Sequence, residues 1–137
     1  MNNHYNLSDT EFEIQFKNCA LDPSIFNHEA HLRLAWIHII KYGIEQAEEN
    51  IHHQLLAYVK SLGAEEKYNK TLTIAAIKAV YHFIQKSTST DFEAFISEFP
   101  RLKFNFKELM QYHYGFDIFT LEEAKTTFLE PNLVPFS

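Results

Sequence analysis

Asn27-His28-Glu29-Ala30-His31-Leu32-Arg33-Leu34-Ala35-Trp36-Ile37-His38-Ile39-Ile40-Lys41-Tyr42-Gly43 is the stretch from which the fold is read. Asn27 is an N-cap type, because its short side chain can accept from an amide of the first turn. Gly43 is the residue type that ends a helix by leaving right-handed backbone space. Between them the spacing predicts a helix over 28–42.

The neighbouring segments carry the same punctuation. Upstream, Ser8 and Glu11 have the spacing of a capping box, which predicts a helix to about Ala20 before Asp22-Pro23. Downstream, a helix from about Ile44 to Leu62 is closed by Gly63. Leu55, Leu56, Tyr58, Val59 and Leu62 occupy one side of it, and Glu45, Glu48 and Glu49 the other. From about Asn69 to Gln85 the apolar positions are too many for a one-sided stripe, which predicts a central helix. A short helix from Asp91 to Phe99 is stopped by Pro100, and Asn105 is positioned to cap another through Tyr112. Thr120 and Glu123 repeat the capping-box spacing before a last short helix, and Pro131 and Pro135 give an extended tail. The reading is an all-α, single-domain helical bundle over 1–137, with about six helices, three or four of them long and forming the core.

Composition bounds the function. Of 137 residues 46% are hydrophobic and 15% aromatic, enough for an ordinary core, which excludes a disordered chain. The net charge of −6 offers no electrostatic footprint for nucleic acid or an anionic membrane. Cys19, the single cysteine, cannot form an internal disulfide and reads as a small core residue. The polar opening Met1-Asn2-Asn3-His4 lacks a basic region feeding an apolar run, so a cytoplasmic protein is expected. Three glycines leave no P-loop, GxGxxG or GxSxG pattern.

The chemistry-bearing feature is the pair His28 and His31. Residues i and i+3 are neighbours on a helix surface, so both imidazoles can face one target. The positive end of the helix dipole disfavours their protonated forms, and neutral imidazole is what a metal ligand or a general base requires. Tight connections at Gly43 and near Gly63 to Glu66 predict antiparallel packing of the second helix on the third and of the third on the fourth. The second and fourth helices then run parallel, which brings Tyr68, Asn69 and Thr71 level with His28 and His31. His113 is the best free candidate for a third imidazole. His52 and His53 fall a turn or more deeper and read as solvated beside Glu48 and Glu49. Arg33 and Glu29, four apart, are expected to pair across a helix turn.

Two function classes follow. In the first, a polar pocket acts on a small molecule. A divalent transition metal (zinc, iron or nickel) would be held by His28, His31 and His113, with Asn69 as a weak oxygen ligand. Without metal, His28 and His31 act as the base while Tyr68 or Thr71 orients the substrate. Neither HExxH nor the paired Glu-x-x-His pattern of di-iron bundles is present. In the second, the histidines are structural, His31 bonding to Tyr68, Asn69 or Thr71. An apolar surface around Phe92, Phe95, Phe99, Phe104 and Phe106 then binds a protein partner or a second copy of the chain.

The segments Phe26-x-His28-x-x-His31-Leu32-x-x-Ala35-Trp36, Tyr68-x-x-Thr71-Leu72-Thr73 and Glu130-Pro131-Asn132-Leu133 resemble those of a family of small uncharacterised bacterial proteins. The resemblance spans about residue 26 to 135, and the first segment is its specific part. The family's second segment tends to read Tyr-His-x-Thr and its last Pro-Asp-Leu, so Asn69 and Asn132 depart from it. A histidine acting as a third ligand at position 69 would be absent here. The resemblance carries no activity, and it picks out the same two helix starts as the topology.

Overall fold

The computed structural model describes residues 3–136, and every regular element among them is helical. Eight α-helices are formed: α1 Asp9–Lys17, α2 His28–Tyr42, α3 Ile44–Ser61, α4 Lys70–Ile84, α5 Phe92–Glu98, α6 Arg101–Phe104, α7 Phe106–His113 and α8 Glu122–Thr126. The all-α class and its long helices are those read from the sequence. The chain divides into two compact units, Met1–Tyr68 and Asn69–Ser137.

In the first unit the local signals act as their chemistry dictates. Glu11 N donates to Ser8 Oγ and Ser8 N to Glu11 Oε1, a complete capping box. α1 ends at Lys17, three residues before the predicted stop. Ala20 N donates to Gln15 O and Cys19 N to Phe16 O, with Cys19 in left-handed backbone at φ 57°. This is a Schellman ending with a cysteine where glycine is usual. α2 has the predicted bounds: Asn27 Oδ1 accepts from Ala30 N, and Gly43 takes φ 87°. Ala30 and every residue from Leu32 to Ile39 are buried, so α2 is the axis of the core. Joined through Gly43 alone, α2 and α3 pack antiparallel, and α1 packs on both.

Two polar clusters fasten α1 and the N-terminal segment to α2. The buried Arg33 guanidinium donates to His4 O, Leu7 O and the Asp9 carboxylate. Glu29, expected to pair with Arg33, instead accepts from His4 Nε2 and from the Tyr5 hydroxyl. A fork of donors anchored on backbone carbonyls outweighs a single pair across a helix turn. At the other end of α2, Glu13 accepts from Lys41 at 2.9 Å and from Tyr42 at 2.5 Å.

In the second unit, Asn69 caps α4 and buried Thr71 lies in its first turn. α4 buries Thr71, Ile74, Ala75, Ile77, Ala79 and Val80, and it packs on α8. Asp91 caps α5 through Ala94 N. Pro100 both stops α5 and opens α6, a four-residue helix absent from the sequence reading. Asn105, predicted to cap α7, makes no side-chain cap bond. The capping box expected at Thr120 and Glu123 does not form, because α8 starts at Glu122 behind Leu121. The five phenylalanines expected on an apolar surface separate: Phe92 and Phe95 are core, Phe99 and Phe106 are half-buried, and Phe104 alone is 71% exposed. Among the described residues no helix is long and apolar enough to cross a membrane.

Candidate functional site

The candidate residues divide between the units, with His28, His31 and Tyr68 in the first and Asn69, Thr71 and His113 in the second. In the first unit the Asn27 cap fixes the start of α2, so His28 and His31 stand in its opening turn. The His31 ring stacks on Phe26 at 3.9 Å between centroids and 25° between planes. Phe26 in turn contacts Phe16 and Tyr58 at 5.0 and 5.3 Å, which seats His31 on an aromatic floor. Tyr58 is locked by its hydroxyl donating to Leu21 O.

His31 presents surface to solvent, yet its pKa is pushed down to about 4. The larger cause is desolvation by the protein crowded around the ring, and the smaller is the neighbouring His28. His31 is exposed as a residue while its ring is crowded by Phe26 and the atoms around it, and the lowered pKa leaves the ring unprotonated at pH 7.

Tyr68 is buried, and its hydroxyl lies 2.5 Å from His52 Nδ1. Donation from the hydroxyl to Nδ1 leaves the proton of a neutral imidazole on Nε2. His52 is half-buried here, not solvated beside Glu48 and Glu49, whereas exposed His53 does lie by Glu49 at 3.4 Å. The signal for His52 is the stripe Ile51, Leu55 and Tyr58, all buried. It fixes the rotation of α3 and places His52 one residue off the core-facing side. By residue count, His31 is twelve residues before Gly43 and His52 nine after, so His52 lies about 4.5 Å deeper along the antiparallel helices, less than the full turn expected.

Among the described residues, two buried polar atoms have no hydrogen-bond partner, His38 Nε2 on α2 and Gln54 Oε1 on α3. His38 is fully buried, with Asn50 Nδ2 3.4 Å from its Nδ1. Its pKa is lowered, chiefly by burial.

The second-unit candidates have their polar atoms engaged. Asn69 Oδ1 accepts from Leu72 N and its Nδ2 donates to Ile118 O, which removes the oxygen considered as a weak metal ligand. Thr71 is fully buried; its hydroxyl donates to Thr127 O at 2.7 Å and accepts from Leu129 N at 3.0 Å, so its one proton is already engaged within the unit. His113 is buried, with Nδ1 2.7 Å from Val134 O and its ring stacked on Phe136 at 4.1 Å. That carbonyl can only accept, so His113 donates from Nδ1 and holds the C-terminal segment. Among the described residues no group of three His, Cys, Asp or Glu side chains is placed to hold a metal ion. No protein-family model, curated protein or solved structure matches the chain.

Proposed function

We propose that the first unit carries a small-molecule site that works by acid–base chemistry, with His31 as the proton acceptor. His28 stands beside it as a second imidazole, and the Tyr68–His52 pair is the further proton carrier on the adjoining helix. What supports this reading is a solvent-exposed histidine at a helix start, stacked on an aromatic floor beside a second imidazole. A base must be unprotonated at the working pH, which the lowered pKa of His31 secures while making it a weaker proton acceptor than an ordinary imidazole. The ligand-group geometry favours this over a metal centre, because zinc sites take at least three protein ligands and His28 and His31 supply two. A cytoplasmic enzyme of small-molecule metabolism is the setting this chemistry suits.

The test is a screen of weak carbon acids and hydroxy acids against the full chain in D2O, read by ligand proton exchange and by histidine ring NMR signals. The expected result is a ligand that moves the His31 and His52 signals and exchanges a C–H proton, with exchange lost in His31→Gln while the fold is retained. Stoichiometric zinc or nickel in tag-free protein that disappears in a His28→Ala, His31→Ala double variant would overturn the metal-free reading. Exchange unaffected by His31→Gln would remove His31 from the chemistry.

A further inference from the structure

The second unit holds a cavity of about 360 Å³ beside α7, built from residues unrelated to the histidines. This volume is at the small end of the range for ligand pockets, about 300–1,000 Å³. Lys107, Met110 and Gln111, neighbours on α7 at i, i+3 and i+4, line it together with Asp117 and Ile118 of the following loop and Leu133 of the C-terminal segment.

The walls are fastened before any ligand arrives. Gly115 N donates to Asn132 Oδ1 at 2.6 Å, and Leu133 N donates to His113 O at 3.0 Å, pinning the C-terminal segment against the loop. The Tyr114 hydroxyl donates to Leu129 O, and Phe119 N to Asp117 Oδ1. Met110 and Ile118 are each 1% exposed and supply an apolar floor. The lining thus carries one cation, Lys107, one anion, Asp117, and an amide, Gln111, around hydrophobic side chains.

A ligand bearing a single charge would meet one of these groups favourably and the other unfavourably. An anionic fatty or aromatic acid would face Asp117, and an amine would face Lys107. A neutral zwitterion with an apolar body satisfies both. We propose that this cavity binds a free α-amino acid with an apolar side chain, its carboxylate at Lys107, its ammonium at Asp117 and its side chain on Met110, Ile118 and Leu133. The amide of Gln111, one turn from Lys107, offers the carboxylate a further donor.

The experiment is a titration of ¹⁵N-labelled full chain with L-phenylalanine and L-leucine. The comparison ligands are 3-phenylpropionate, which lacks the amine, and phenethylamine, which lacks the carboxylate. Saturable shifts of the Gly115, Phe116 and Ile118 amides are expected with the amino acids. Binding should be weaker by about tenfold for either one-charge analogue and in Lys107→Gln and Asp117→Asn, both exposed positions. An unchanged spectrum outside the cavity shows that the variants keep their fold. The proposal is overturned by absence of saturable shifts up to about 10 mM, by a one-charge analogue binding as tightly as L-phenylalanine, or by wild-type affinity in both folded variants.

Discussion

Thr71→Val separates a structural threonine from a substrate-orienting one. The hydroxyl is fully buried and makes two bonds, donating to Thr127 O and accepting from Leu129 N. Valine keeps the shape and removes both partners, stranding one carbonyl and one amide. Each stranded group costs about 1–3 kcal/mol. Thr127 is exposed and Leu129 half-buried, so water relieves the carbonyl more than the amide, and the sum is about 2–4 kcal/mol. With a urea slope of about 1–3 kcal/mol/M, the unfolding midpoint falls by about 1–2 M at unchanged slope. Thr71→Ser is the control: it keeps both bonds and loses a methyl group, about 1 kcal/mol. Urea unfolding followed by circular dichroism measures all three proteins. A Thr71→Val midpoint at or above that of Thr71→Ser would show that the hydroxyl contributes less than the methyl.

Cys19→Gly should raise stability by about 1 kcal/mol, since it removes the left-handed penalty at φ 57°. The same urea assay reads it, and a fall in midpoint would show that the half-buried thiol contributes more than the strain. Acid should destabilise the protein from pH 6.5 downward. His31 and His38 have folded pKa values below their ordinary 6.5, so the unfolded chain binds more protons in that range and stability falls as pH falls. Glu13 adds loss in the same direction at lower pH. Its carboxyl is opposed most by desolvation but held below the usual range by Tyr42 and Lys41, so its contribution disappears as it protonates. Urea midpoints at pH 7, 5.5 and 4.5 check the sign, and a midpoint that is flat or rises on acidification contradicts it.

The helical class was legible because its signals are local. Ser8-x-x-Glu11, Asn27 and Gly43 each act within one turn of backbone, and each is found where the sequence put it. What escaped reading was non-local or against type. The early stop of α1 depends on a cysteine in left-handed space, which no residue preference announces. The capping box at Thr120 failed because Leu121 took the cap position of α8. The histidine pair was visible as a spacing, but its surroundings were not: Phe26 beneath His31 and Tyr68 on His52 are contacts across 5 and 16 residues. Thr71 and Asn69 looked like site residues because they are polar at a helix start. Their partners, Thr127, Leu129 and Ile118, lie some fifty residues on.

His31 is unprotonated at pH 7 although its residue is exposed, and a ring-resolved NMR titration of the histidines from pH 3 to 8 measures this. The expected His31 midpoint is about 4. A His31 midpoint at 6.5 or above would contradict it, for the ring would then be an ordinary solvated histidine.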